Sequence, residues 1–277
     1  MRVACADRIA DCAQPLIMGV LNVTPDSFSD GGRLFSEAGL DVEQAVGSAQ
    51  AMVDAGADII DIGGESTRPG AQPVSIEQEI QRVIPVLRQV RKLDTIVSVD
   101  TRHAEVARAA IAEGAHIIND VGGGRDAGML QAIGAADVGY VIMHMLGEPA
   151  TMQRAPSYDD VVGDVSAFLT ERMLAAMDAG VDTQRLMVDP GFGFGKDLSH
   201  NLELLRGLPQ MLALQVPLVV GLSRKRMIEA LTGAPLERRL AGSLALALKA
   251  VDLGAHIVRV HDVQATHDAL RIWQAVG

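Results

Sequence analysis

Short runs of apolar, largely β-branched residues alternate along this chain with longer stretches of helical period. Three segments share one pattern: "AGADIIDIGG" from Ala55, "EGAHIINDVGG" from Glu113 and "LGAHIVRVHD" from Leu253. Each reads as a helix end, a glycine at the C-cap position, and a short strand that closes on polar residues. Further strand-like runs fall at residues 16–21, 95–99, 139–143, 185–188 and 217–221, which makes eight candidate strands. Between them, "SIEQEIQRVIPVLRQV" places Ile76, Ile80, Val83, Ile84, Leu87 and Val90 on one helical face. Ser75 with Gln78 has the form of a capping box, and Pro85 is expected to kink this helix. Val42, Ala45, Val46, Ala49, Met52 and Val53 mark another amphipathic helix after Asp41. Strands that are apolar throughout and separated by helices predict a parallel sheet covered on both faces. Eight such units in one chain predict an α/β fold of the (β/α)8 barrel type. A doubly wound open sheet is the alternative. No composition break divides residues 1–277, so a single domain is expected, with residues 1–15 as a short N-terminal extension.

Composition narrows the function. Hydrophobic residues make up 48% of the 277, ample for a large core. The formal net charge of −11 argues against wide contact with nucleic acid or an anionic membrane, because polyanion binding requires excess Lys and Arg. Any anionic ligand must meet a local basic cluster. Aromatic residues are only 3%, too few for a base-stacking platform. Cys5 and Cys12 match neither a C-x-x-C pair nor a disulfide framework and read as free thiols. Arg2, Asp7, Arg8 and Asp11 interrupt any apolar leader, and the expected location is cytoplasmic.

Side chains that do chemistry in such a barrel sit at the carboxyl ends of the strands. There the chain supplies Asn22, Asp61, Asp100, Asn119, His144, Asp189, and the pair Arg259 and His261, which period-two alternation puts on one side of the last strand. An isolated Asp or Asn after a strand is often only the N-cap of the next helix; polar residues ending seven of eight strands point to a site. Asp61, Asp100, Asn119 and Asp189 suit a flat heterocycle with N–H donors and ring acceptors. Arg68, Lys225, Arg259 and His261 suit a phosphorylated group. Together they imply a ligand with a polar ring and an anionic tail. "GFGFGK" at residues 191–196 lacks the full P-loop pattern and reads as a loop. The seven histidines contain no H-E-x-x-H, which disfavours a tight zinc site, whereas Mg²⁺ needs few protein ligands. His103, His116, His200, His256 and His267 read as structural or solvated.

With these residues assembled, the sequence resembles the bacterial dihydropteroate synthases, a pterin-binding barrel family. The most specific pieces are "IMGVLNVTPDSFSDGG" from Ile17 and "GADIIDIGGESTRPGA" from Gly56. "VSVDT", "IINDVGG", "MHMLGEPATMQ", "DPGFGFGK", "SRK" and "RVHD" support them in the same order. The resemblance implies a (β/α)8 barrel with two long mobile βα loops after strands 1 and 2. It implies a transferase of folate biosynthesis in which the amine of p-aminobenzoate displaces pyrophosphate from 6-hydroxymethyl-7,8-dihydropterin diphosphate by an SN1-like step. Carried over by position, Asp61, Asp100, Asn119, Met143, Asp189 and Lys225 would hold the pterin. Asn22, Thr67, Arg68, Arg259 and His261 would take the diphosphate, and Asn22 would help hold Mg²⁺. Phe28, Pro69, Lys225 and Arg226 would bracket the aminobenzoate, with Asp100, Lys225, Arg259, Asp26 and Phe28 as the catalytic group. A homodimer and sulfonamide sensitivity are further implications. The chain departs from the common pattern at Arg226, where Ser is usual, at Glu229, where Gly is usual, and at Leu146, where Gln is common.

Rival readings explain less. A methyltetrahydrofolate-type methyltransferase barrel would share the ring-binding acids but has no use for "ESTRPG" or "RVHD". A silent pterin-binding paralogue would be expected to have lost loop residues that are present here. A glycoside hydrolase would need aromatic residues for sugar stacking.

Overall fold

The structure is a computed structural model that describes residues 1–24, 35–36, 39–66, 74–148 and 151–276, with the backbone alone at 35, 36 and 39. The two loops expected to be mobile contain residues 25–34 and 67–73, which lie outside the described residues. Eight parallel strands form the centre: β1 (Leu16–Asn22), β2 (Ile59–Gly63), β3 (Ile96–Asp100), β4 (Ile117–Asp120), β5 (Gly139–Met143), β6 (Leu186–Asp189), β7 (Val219–Val220) and β8 (Ile257–Val260). Their order is β6-β5-β4-β3-β2-β1-β8-β7. A parallel bridge between Val188 and Leu218 joins β6 to β7, and Val188 N–H donates to Pro217 O at 3.0 Å. The sheet therefore closes into a barrel, which removes the open-sheet alternative.

The covering helices are α1 (Val42–Asp54), α2 (Ile76–Val90), α3 (Ala104–Ala112), α4 (Met129–Gly134), α5 (Val161–Asp178), α6 (Leu198–Arg206), α7 (Leu208–Met211), α8 (Arg226–Thr232), α9 (Leu240–Asp252) and α10 (Val263–Val276). Local chemistry sets their ends. Asp41 caps α1 through Gln44 N–H, and Ser75 and Gln78 complete both arms of the capping box on α2, which runs on through Pro85. Gly56 of the first repeated pattern has φ +95°, a conformation that favours glycine, and a Cβ there would lie 2.5 Å from the His267 ring.

Strand alternation divides the side chains into layers. Ile60, Ile62, Val97, Val99, Val258 and Val260 face outward and pack with Val83, Leu87 and Ala107 of the helices in the main core. The inward residues begin with one from each strand: Met18, Ile59, Ile96, Ile117, Val141, Met187, Val219 and Ile257, all buried in a second cluster. Val3, Cys5, Ala10 and Cys12 belong to that same cluster. They come from residues 1–15, expected only as an extension, which instead contain an antiparallel hairpin of Arg2–Cys5 and Arg8–Asp11. The hairpin closes the amino-terminal end of the barrel. Its rim is fastened by Asp7 to Arg91 at 2.9 Å and by Arg8 to Asp94 at 2.7 Å. Both cysteines are free and buried, and burial pushes the thiols up to about 12 for Cys5 and about 11 for Cys12.

Two positions further along the strands, the inward residues are Val20, Asp61, Ser98, Asn119, Met143, Asp189, Gly221 and Arg259. The barrel interior thus changes from apolar to largely polar within one strand repeat, and this second layer floors the carboxyl-terminal mouth.

Candidate active site

Arg259 is the centre of the mouth. Its Nε lies 2.6 Å from Asp61 Oδ2 and its Nη2 2.6 Å from Asp100 Oδ2. Asn119 Nδ2 donates to the same Asp61 oxygen at 3.1 Å. Asp61 is fully buried, yet its Oδ1 has no hydrogen-bond partner among the described residues. Burial pushes the Asp100 carboxyl up to about 7, against the pull of Arg259, and the nearby Asp61 charge adds to the rise. Burial also raises Asp189, opposed by the Gly191 N–H that its Oδ1 accepts at 2.7 Å and by the Lys225 charge. The two carboxylates flanking Arg259 favour its charged form. Such a floor is short of N–H donors: a ring that brings several of them would complete Asp61 and stabilise Asp100 and Asp189 as anions.

One wall of the mouth is apolar. Met143, at the end of β5, packs with Val121, Met145 and Met152, and Phe194 lies against them. Lys225 Nζ sits 4.4 Å from the Phe194 ring centroid, a cation–π contact. A tight turn aims Lys225: Arg224 before it has φ +57°, uncommon for a side chain other than glycine. The turn is braced on three sides. Arg224 N–H donates to Ser243 Oγ at 2.9 Å, its guanidinium forks onto Asp262, and its carbonyl accepts from Arg239 at 3.1 Å. Ser223 Oγ lies 3.0 Å from His261 Nδ1, which ties the ends of β7 and β8.

The loop after β6 is held from behind. Gly191 has φ +70°, and a Cβ there would lie 1.8 Å from the His144 carbonyl, so only glycine lets this loop cross β5. Lys196 Nζ, nearly fully buried, reaches His144 Nδ1 at 2.9 Å, Gly191 O at 3.0 Å and Phe194 O at 3.2 Å. Burial lowers Lys196 to about 7 and His144 to about 3.

A family profile described as "Pterin binding enzyme" matches residues 18–261. The chain belongs to the pterin-binding enzyme family. Similar members include the dihydropteroate synthase of Escherichia coli strain K12, 48% identical over 96% of this chain and 93% of that enzyme. The fold superposes on the Yersinia pestis dihydropteroate synthase with a sulfonamide drug, at a TM-score of 0.95 and 42% identity, covering 100% of this chain and 99% of that one. It also superposes on the Xanthomonas albilineans dihydropteroate synthase with 4-aminobenzoic acid, at a TM-score of 0.91 and 50% identity over 99% and 97% of the two chains.

Of the residues that the resemblance assigned in this pterin-binding enzyme, the structure brings Asp61, Asp100, Asn119, Met143, Asp189, Lys225, Arg259 and His261 around one mouth, with Asn22 at the end of β1. Asp26, Phe28, Thr67, Arg68 and Pro69 lie outside the described residues. Arg226 is exposed at the first turn of α8, next to Lys225. Glu229, the other departure in that helix, pairs with Arg239, the same side chain that braces the Arg224 turn. His144 does not join the site. Alternation along β5 turns it outward, where it packs edge-on against Phe168, with ring centroids 4.9 Å apart. The sequence pattern marks Phe194 and Lys196 only as loop residues. A lone Phe between glycines carries no strand or helix signal, and only the fold shows it beneath Lys225.

For a metal, Asn22 supplies a hard amide oxygen at the mouth. A Cβ at Gly63 would stand 3.6 Å from Asn22 Oδ1 and 3.8 Å from Asp100 Oδ2, of which the second is engaged by Arg259 Nη2. A hard amide oxygen suits Mg²⁺, which needs few protein ligands. Glu65, Glu79 and His103 also lie with donor atoms within 4.8 Å of one another. There, however, both Glu65 oxygens are engaged by Arg102, and Glu79 Oε2 is 2.7 Å from His103 Nδ1.

Proposed function

We propose that the chain is a dihydropteroate synthase, joining 6-hydroxymethyl-7,8-dihydropterin diphosphate to p-aminobenzoate with release of pyrophosphate. The observation that carries this reading is the polar second layer, in which buried Asp61, Asn119 and Asp189, with Asp100 one step above them on β3, surround a floor with one carboxylate oxygen left unpaired. A pterin ring presents N–H donors to these acceptors and ring acceptors to Asn119 and Lys225. Placed there, its exocyclic carbon faces the Arg259 side of the mouth, where Asn22, His261, Thr67 and Arg68 would receive the diphosphate. Mg²⁺, held by Asn22 and diphosphate oxygens, would supply charge neutralisation as the leaving group departs.

The reaction requires no protein nucleophile. The C–O bond to the diphosphate breaks, its electron pair leaves with pyrophosphate, and positive charge spreads from the exocyclic carbon into the ring. The ionised Asp100 beneath the ring favours that charge, while Arg259 and His261 face the growing negative charge. The aniline nitrogen then forms the new C–N bond and loses a proton. The apolar wall of Met143 and Phe194 beside Lys225, with Phe28, Pro69 and Arg226, is the side from which the aromatic amine would approach. An aniline is already nucleophilic, so alignment supplies much of the rate. The same reading includes a soluble cytoplasmic enzyme, for which no described helix is long and apolar enough to cross a membrane, and a homodimer.

The test is pyrophosphate release by the purified protein with dihydropterin diphosphate and Mg²⁺, with and without p-aminobenzoate. Release coupled to dihydropteroate formation, competitively inhibited by a sulfonamide against p-aminobenzoate, is the expected result. Tight pterin binding without product would overturn the assignment in favour of a pterin-binding protein.

A further inference from the structure

Arg102 lies just beyond the carboxyl end of β3 and touches two other mouth loops. Its Nε is 2.8 Å from Glu65 Oε2 and its Nη2 is 3.1 Å from Glu65 Oε1, a two-pronged pair. Its Nη1 is 3.4 Å from Glu148 Oε2, in the loop after β5. Glu65 belongs to the segment leaving β2, and its side chain is only 7% exposed. The residue before it is held from beneath. Arg82 of α2 donates to the Gly64 carbonyl at 3.0 Å, and a Cβ on Gly64 would lie 2.7 Å from Val83 Cγ2. The chain leaving β2 is therefore seated on α2 and gripped from the side by one guanidinium. A fork between Arg and a largely buried carboxylate fixes direction as well as distance, because both oxygens are engaged at once.

We propose that Arg102 is a positioning residue for the diphosphate half of the substrate: through Glu65 it sets the direction in which the chain leaves β2 toward Thr67 and Arg68. The inference rests on the proposed synthase reading, which gives those two residues to the diphosphate. Arg102 acts at one remove, and its effect is confined to the anionic tail, since the ring is held by Asp61, Asp100, Asn119 and Asp189 of β2, β3, β4 and β6.

The test compares Arg102→Met, Arg102→Lys and Glu65→Gln with the unaltered protein, using two ligands: dihydropterin diphosphate and the same pterin bearing only its hydroxymethyl group. Arg102→Met and Glu65→Gln should each raise KM for the diphosphate by about tenfold, the double variant should add little, and affinity for the uncharged pterin should stay within about twofold. Arg102→Lys should recover part of the loss. Glu65→Gln is decisive in sign. Removing a negative charge from the mouth favours a polyanion by Coulomb attraction, so weaker binding there requires lost positioning. If Glu65→Gln binds the diphosphate normally while Arg102→Met does not, Arg102 contacts the substrate itself and the proposal is overturned. Equal losses for both ligands would also overturn it, as a general structural effect. If the unaltered protein shows no preference for the diphosphate form, it is the synthase reading that fails.

Discussion

Arg259 holds two carboxylates at once, so its removal would strand Asp61 and Asp100 in the barrel floor without a cation. Arg259→Ala is expected to abolish turnover and to cost about 3–5 kcal/mol of stability, the range for breaking a buried pair. Asp100, whose raised value Arg259 opposes, would then favour protonation more strongly than before. The raised value of Asp100 contributes stability that is present at low pH and is lost as pH rises, so the variant's melting temperature should fall further below that of the unaltered protein at pH 8 than at pH 5. An equal deficit at both pH values would mean that the carboxylates do not depend on Arg259. Asp100 has a second consequence. With its carboxyl pushed up to about 7, the empty site is only partly ionised near neutrality. A ring donating N–H to Asp100 binds the ionised form, so pterin affinity should rise with pH through about 7 and level off above it. Asp100→Asn should flatten that profile as well as weaken binding; a slope that survives in the variant would assign the titration to Asp189.

At the scale of elements, the N-terminal hairpin is part of the barrel rather than an appendage. Val3, Cys5 and Ala10 are almost fully buried beneath the eight inward residues of the first layer. Val3→Asp would set a carboxylate in that apolar layer, with an expected loss of several kcal/mol, whereas Ile9→Asp, at a 64% exposed position of the same hairpin, should be nearly neutral. Chemical denaturation of the two variants separates a structural plug from a dispensable tail, which would tolerate both changes. The hairpin was not legible in the sequence because its buried face consists of four small or medium residues interleaved with Arg2, Arg8 and Asp11, too short a run to register as a strand pair. The barrel strands were legible because each is apolar on both faces and ends on a glycine or polar punctuation. The floor of the site was legible for a related reason: a carboxylate two positions past a buried isoleucine, as in Ile59 and Asp61, points inward by parity alone. Parity applied strictly would also have excluded His144. Contacts such as Arg102 with Glu65 were not legible, because they join residues distant in sequence on loops without periodicity.

The barrel as a whole has one uneven seam. Most neighbouring strands pair over four or five residues, whereas β7 consists of Val219 and Val220 and meets β6 through a single bridge. Its entry is fastened instead by His256, whose ring Nδ1 accepts from Leu218 N–H at 3.2 Å while its backbone N–H donates to Leu218 O at 2.9 Å. Burial lowers the pKa of His256, so the folded seam favours the neutral imidazole, the only form that can accept that bond. A depressed value contributes stability that is present above the usual histidine pKa and is lost as pH falls through the folded value. His116, lowered by burial to about 4 while its Nδ1 accepts from Val97 N–H at 2.8 Å, adds the same dependence at the base of β3. Acid should therefore loosen the barrel, and the thinly paired β7 should respond before the broadly paired β2 and β3. Hydrogen exchange followed by mass spectrometry at pH 7 and pH 5, corrected for intrinsic rates, should show loss of protection first in the peptide spanning residues 215–222. Uniform loss of protection around all eight strands would instead mean that the barrel opens as one cooperative unit and that His256 holds no separate seam.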